Sequence, residues 1–253
     1  RRVVMRYLAD TNLGQVSEED LVLSHGGQSA VSLVLQAVLK GSRPIVLVEE
    51  LSYPGFRRAA ELLRAEVIAV PMDEYGIRPD ILEEIAQRAA PQVLCTSAEV
   101  HNPTGIFTPE WRRREIAGVA KRHRLQILED DCYRLGSSRA PSYRAIVPEH
   151  GWYVSSISKT LTPGLRIGWV IPGRFYEGVY EQKMVHNLST SGLSQVALSH
   201  FLAKGRYDSH MRRLRREMRI RVARHFKLVE EYMGDVIDTH LPPGGLVGWL
   251  SLR

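Results

Sequence analysis

A chain of 253 residues is long enough for one large domain, or for a large and a small one. With 44% hydrophobic and 25% charged residues it has the composition of a soluble globular protein, which excludes a disordered or fibrous chain. A net charge of +6 and a sequence pI of about 9.4 permit an anionic ligand or a nucleic acid and demand neither.

No apolar run is long enough to span a bilayer and no signal-peptide pattern opens the chain, so a cytoplasmic protein with no membrane partner is expected. Its two cysteines, Cys95 and Cys132, both lie in apolar, strand-like stretches. They read as small buried hydrophobes in a reducing compartment and not as a disulfide framework. No zinc-ligand spacing, GxGxxG string, Walker motif or internal repeat is present, and no metal site is expected. Arg1 begins in mid-pattern, and the closing G-G-L-V-G-W-L-S-L-R reads as a strand without its sequel, so part of a longer protein is expected.

In chain order, Val3, Val4, Tyr7 and Leu8 have helical spacing, and a polar link leads to the short apolar L-V-L. The string S-H-G-G-Q-S-A follows. Val31, Val34, Leu35, Val38 and Leu39 then share one helix face, which sets Gly26, Gly27 and Gln28 at a helix N-terminus. Free backbone N–H groups and the dipole make such an end a ready anion site, although a plain glycine turn before a helix is common. The run P-I-V-L-V-E-E reads as a buried strand, with Tyr53 near its carboxyl end and a helix from Pro54. Tyr53 is placed either to cover a flat ligand or simply to pack. Next come a strand V-I-A-V-P, a turn D-E-Y-G, a helix from Pro79 to Ala89, and a strand Q-V-L-C-T.

In A-E-V-H-N-P-T-G, Pro103 holds Asn102 extended and Gly105 permits a reversal, so the loop presents an amide at a strand end. Thr108 and Pro109 are expected to cap and open a helix from Glu110 to His123. The strand L-Q-I-L-E-D-D-C-Y-R ends on three acids, with Glu129 and Asp131 on one face and Asp130 on the other. Either this is a charged loop, or Asp130 is held buried opposite a cation.

W-Y-V-S-S-I and I-G-W-V-I read as strands on either side of S-K-T-L-T-P-G-L-R, which contains Lys159 and Arg166. A lysine can condense with an aldehyde to form a Schiff base. Ser156, Ser158 and Arg166 are groups suited to a phosphate. Together they describe pyridoxal 5′-phosphate, against the plainer reading of a surface lysine and an ordinary ion pair. Helices are expected over 174–186, 194–204 and 208–233. The last carries an apolar stripe of Met211, Leu214, Met218, Val222, Phe226, Val229 and Met233, with arginines on its other faces. That basic surface reads as a solvated face, with nucleic-acid contact as the alternative. Strands alternating with helices imply an α/β fold, its sheet mostly parallel with helices on both faces. Tyr53, Asn102, Asp130 and the Lys159 loop all fall at the carboxyl rim of that sheet, where ligands bind.

These strings together resemble the aminotransferase class I and II family, the fold-type-I pyridoxal-phosphate enzymes. The S-K-x-x-x-P-G-x-R-x-G-W string with N-P-T-G upstream carries the resemblance. E-D-D-x-Y, Y-P-G and H-M-R-R-L-R-R are similar to the 2-aminoadipate and kynurenine aminotransferases and to the aminotransferase-like domain of MocR regulators, which bear a GntR-type winged helix. The resemblance implies that Lys159 forms the internal aldimine and Asp130 pairs with the pyridine nitrogen. It implies that Asn102 and Tyr133 bond the phenolic oxygen and Tyr53 stacks on the ring. Gly27, Gln28, Ser156, Ser158 and Arg166 would bind the phosphate. Catalytic roles then fall to Lys159, Asp130 and Tyr133. A large domain over 1–205, a connecting helix with the start of a small α+β domain over 206–253, and a homodimer are further implications. So is transamination between an amino acid and a 2-oxo acid. The alternative is a cofactor-sensing regulator that meets DNA through an upstream winged helix. The arginine that grips the substrate carboxylate would lie beyond Arg253, and the segment that closes the site before Arg1.

Overall fold

The computed structural model describes residues 1–173, 189–240 and 246–253. A first helix, α1 (Arg2–Tyr7), leads through a polar link to β1 (Val22–Ser24) and α2 (Gly27–Val38). Then come β2 (Ile45–Glu49), α3 (Pro54–Leu62) and β3 (Glu66–Val70). The D-E-Y-G turn closes a hairpin of β4 (Met72–Asp73) and β5 (Gly76–Ile77). It is followed by α4 (Pro79–Ala89), β6 (Val93–Thr96), α5 (Glu110–His123) and β7 (Gln126–Asp130). Proline stands in the first turn of α3 and of α4, where its missing N–H has no partner to lose.

Beyond β7 lie α6 (Tyr143–Ile146), β8 (Gly151–Ser156), a 3-10 turn (Pro163–Leu165) and β9 (Gly168–Ile171). The C-terminal part holds α7 (Gly192–Ala203), α8 (Arg206–Met233), β10 (Ile237–His240) and β11 (Trp249–Leu252). The helix expected over 174–186 lies outside the described residues, as do residues 244–245 of the closing string.

Seven strands form the main sheet in the order β1-β9-β8-β7-β6-β2-β3. The pairings from β3 through β2, β6 and β7 to β8 are parallel, while β9 runs antiparallel to both β8 and β1. The sheet is therefore mostly parallel, as expected, with the antiparallel pairings confined to one side. The central strands read as continuous apolar runs because both their faces are covered. Val46, Val48, Cys95, Leu128 and Val154 pack on α2 and α3. Their neighbours Leu47, Leu94 and Ile127 point the other way, onto α4, α5 and α6. A third apolar cluster joins α1 and α7 to Tyr153, Trp169 and Ile171.

Two local expectations are corrected. Pro109, not Thr108, stands at the N-cap of α5 and makes no side-chain cap; Thr108 is buried, and its amide donates to Ala98 O at 2.9 Å. The α8 stripe is buried only at Met211, Phe226 and Val229, and Met233 is exposed. Among the described residues no helix is long and apolar enough to cross a membrane.

Candidate active site

The parallel strands β2, β6, β7 and β8 bring their carboxyl ends to one rim of the sheet. Tyr53 lies just past β2, Asn102 past β6, Asp130 at the end of β7, and Lys159 past β8. The reversal of β9 serves the same rim. Because Ser156 pairs with Gly168, it is the start of β9 that lies there, and Arg166 stands two residues before it. The pairing of Ser24 with Gly168 brings in the end of β1, and with it the N-terminus of α2.

At that N-terminus the backbone is tightly enclosed. Gly26 has φ +82°, a left-handed conformation that glycine adopts without steric cost. A Cβ there would come within 2.6 Å of the Arg166 guanidinium, which donates to His25 O at 3.0 Å. A Cβ on Gly27 would lie 2.8 Å from Cys132 Sγ and 3.7 Å from Ser156 Oγ. The Ser158 amide donates to Ser156 Oγ at 3.4 Å. First-turn N–H groups, the Ser156 hydroxyl with the Ser158 amide behind it, and a guanidinium therefore line a cradle that any side chain on either glycine would fill. Such a donor set suits a phosphate. The side chain of Gln28 is otherwise engaged: it donates to Gly55 O at 3.0 Å and accepts from Tyr53 Oη at 2.9 Å.

On the other side of Asp130, Asn102 Nδ2 donates to Tyr133 Oη at 3.2 Å. Lys159 is exposed, and its Nζ stands 5.3 Å from the centroid of the Tyr133 ring. The phenols of Tyr53 and Tyr133 both have raised pKa values, first from burial and next from the charge of Asp130. Tyr53, Tyr133 and Asp130 thus feel one another across the same space. Tyr53 meets Phe56 edge-on, with its hydroxyl anchored on Gln28.

The three acids at the end of β7 are divided by the strand's alternation. Glu129 faces α5, where Arg113 donates to it at 3.1 Å and the Tyr143 amide at 2.8 Å. Asp131 receives Arg134 at 2.7 Å and the Tyr153 hydroxyl at 2.6 Å. Asp130 faces α2 and receives the Cys132 amide at 3.1 Å; among the described residues no cation pairs with it. Burial raises all three carboxyl pKa values, Glu129 to about 7 and Asp130 to about 6. Arg113 and Arg134 pull against burial at Glu129 and Asp131, whereas at Asp130 it is the amide and thiol of Cys132 that do so. A buried carboxylate without a counter-charge is costly, and a protonated pyridine nitrogen is a group that removes the cost. With a phosphate cradle on one side and an amine on the other, the donor set fits pyridoxal 5′-phosphate.

Two residues at the rim add to the sequence reading, which takes Cys132 as a small buried hydrophobe, as it is, but does not place it in the site, and gives His101 no role. Cys132 is buried two positions after Asp130, hence on the same strand face, with its Sγ 3.4 Å from Ser156 Oγ. Burial and the nearby Asp130 push its thiol pKa well up, so it is an unreactive filler of the cradle. The i, i+2 relation to Asp130 was the available signal. His101, beside Asn102, meets Glu49 from β2, and no local pattern links residues so far apart.

All 253 residues match the family model described as aminotransferase class I and II. Among curated proteins, the chain is 30% identical to the uncharacterized HTH-type transcriptional regulator YjiR of Escherichia coli, covering 100% of the chain and 54% of that protein. It is also 30% identical to the 2-aminoadipate transaminase of Thermus thermophilus, covering 94% of the chain and 61% of that protein. The chain therefore spans about half the length of the first of these relatives and three fifths of the second. Among solved structures, LysN, an α-aminoadipate aminotransferase of Thermus thermophilus complexed with N-(5′-phosphopyridoxyl)-L-leucine, is similar at 27% identity with a TM-score of 0.86. That match covers 99% of this chain and 64% of that one. The Pyrococcus horikoshii kynurenine aminotransferase shares the fold, with a TM-score of 0.88 at 24% identity, over 100% of this chain and 65% of that one.

Proposed function

Because the chain belongs to the aminotransferase class I and II family, we propose that it is the cofactor-binding part of a pyridoxal-phosphate-dependent aminotransferase. The reaction is amino-group transfer between an amino acid and a 2-oxo acid. The observation that carries this reading is Asp130, a buried carboxylate with no cation among the described residues, set between a phosphate cradle and a lysine. When bound, the cofactor supplies an electron sink that acidifies the Cα–H of an amino acid.

The chain's own groups divide the remaining work. Lys159 Nζ is the amine that would hold the cofactor by its aldehyde carbon, and the same amine would serve as the base that takes and returns the Cα proton. Asp130 keeps the pyridine nitrogen protonated. Asn102 and Tyr133, already in contact, receive the phenolic oxygen, and Tyr53 covers a ring face. The backbone of Gly27 and Gln28, with Ser156, Ser158 and Arg166, binds the phosphate. We assign residues 1–205 to the large domain and 206–253 to the connecting helix and the start of the small one, in a homodimer. The test is a panel of amino acids added to the full-length protein loaded with cofactor. At least one should convert the bound cofactor to its amine form and release a 2-oxo acid; conversion by none contradicts transamination.

A second reading has its own support. The similarity to the HTH-type regulator of Escherichia coli runs over the whole chain, and α8 exposes Arg212, Arg213, Arg215, Arg219, Arg221 and Arg224. In that reading the same cofactor site is the sensor of a transcription regulator. Salt-dependent binding of the full-length protein to duplex DNA, changed by an amino acid, would support it; its absence would remove it.

A further inference from the structure

The turn that carries Asn102 is held from behind by a residue with no role so far. His101 and Glu49 are each 2% exposed, in a sheet core where an unpaired charge is costly. Glu49 closes β2. Its Oε1 accepts from Thr96 Oγ1 at 2.5 Å and from the Ser97 amide at 3.3 Å, and so spans the ends of β2 and β6. Its Oε2 lies 3.2 Å from His101 Nε2. That contact sets an imidazole nitrogen against a carboxylate oxygen without the alignment of a full hydrogen bond. On the other side of the ring, Nδ1 lies 2.6 Å from Thr104 Oγ1. The backbone folds around the same residue: the Gly105 amide donates to His101 O at 2.7 Å, and the His101 amide to Ile106 O at 3.0 Å. Asn102 is the next residue, and its amide donates to Tyr133 Oη.

We propose that His101 is a positioning residue: clamped between the carboxylate of Glu49 and the hydroxyl of Thr104, it fixes the turn that presents Asn102 to Tyr133. This rests on the functional reading of Asn102 and Tyr133 given above. Burial lowers the imidazole pKa, but the charge of Glu49, its hydrogen-bonding capacity and the backbone of Leu51 outweigh burial and leave it raised. Glu49 on β2 is the charged group that faces the ring. Nε2 of the ring faces the Glu49 carboxylate, while Nδ1 meets the Thr104 hydroxyl at 2.6 Å and accepts from the Thr104 amide at 3.4 Å. A glutamine can reproduce the clamp, with its amide toward Glu49 and its carbonyl toward Thr104; a leucine leaves Glu49 unpaired.

The test uses the full-length protein in two measurements. The first is the ¹⁵N NMR signature of the His101 ring in the wild type, with or without cofactor. A proton on Nε2 at pH 7, the nitrogen that faces Glu49, is expected. A bare Nε2 at pH 7, with the proton on Nδ1, overturns the clamp, because nothing on the ring then donates toward Glu49. The second compares His101→Leu and His101→Gln by pyridoxal-phosphate dissociation constant and by the absorption band of the bound cofactor. The leucine variant should weaken binding about tenfold and shift the band, as expected for a lost charged contact, while the glutamine variant returns both close to wild type. Wild-type binding and an unmoved band in both variants, with only the melting temperature lowered, would make His101 a structural residue and end the proposal. A wild type that binds no cofactor refutes the function proposed above, and the ring protonation still decides the clamp.

Discussion

On the α5 side of the sheet, Arg113 is buried to 1% exposure and donates to Glu99 at 2.9 Å, to Glu129 at 3.1 Å and to Thr108 O at 2.8 Å. Glu99 also receives Arg139, and Glu129 the amide of Tyr143. On the α2 side, one residue along the same strand, Asp130 is also buried, at 9% exposure, and its company is the amide and the thiol of Cys132. Both places hide carboxylates from water. In the first, the protein supplies the counter-charge itself, and the result is a closed structural network. In the second no cation among the described residues supplies it, which is the gap that the proposed cofactor would fill. Buried charge alone therefore does not mark function; buried charge without an internal partner, aimed at a cradle, does.

The comparison can be broken from either side. The largest effect on stability is expected at the closed network. Arg113→Ala would strand Glu99 and Glu129 and cost about 3–5 kcal/mol in urea denaturation, with or without cofactor. At the open site the sign should reverse in the absence of cofactor. The folded pKa of Asp130, about 6, exceeds its ordinary value of 3.8, so the folded state favours the proton. The contribution of Asp130 is therefore most favourable below pH 3.8, is lost as pH rises through 6, and stays lost above. Asp130→Asn should then stabilise the cofactor-free protein by up to about 3 kcal/mol at pH 7 and by little near pH 4. The same variant should weaken cofactor binding, because the pyridinium loses its counter-ion. Lower stability of the cofactor-free variant at pH 7 would break the comparison.

Smaller effects sharpen it. Asn102→Ala removes one half-exposed hydrogen bond to Tyr133 and should cost about 0.5–1.5 kcal/mol of folding stability, with a change in the absorption band of the bound cofactor. Arg114→Ala breaks an exposed i, i+4 pair with Glu110 on α5 and should change stability by no more than about 0.5 kcal/mol, within error of wild type by thermal melting.

Much of this was legible from the residues because local rules decided it. Pro79 and the apolar spacing after it set α4, and the runs V-L-C-T and Q-I-L-E-D could only be strands covered on both faces. Alternation along β7 separated Asp130 from Glu129 and Asp131 without any structural knowledge. What stayed hidden is what depends on distant partners. Nothing near Glu129 in sequence announces Arg113, sixteen residues earlier, and nothing near His101 announces Glu49. The antiparallel course of β9, which carries Arg166 to the rim, is decided by pairing with β8 and β1 and not by its own residues. The four-residue α6 is too short to show a period. Thr108 read as a cap because its type favours that position, but burial against Gly76, where a Cβ would lie 2.6 Å from its hydroxyl, claimed the side chain instead.

The central claim is that the rim of this sheet holds pyridoxal 5′-phosphate on Lys159, with Asp130 as its counter-ion. It is tested most directly by incubating the full-length protein with the cofactor, reducing with borohydride and locating the added mass by peptide mapping. The account predicts a single phosphopyridoxyl group on the peptide that contains Lys159, and markedly less of it in Asp130→Asn. Label on another lysine, or equal label in the variant, would contradict it.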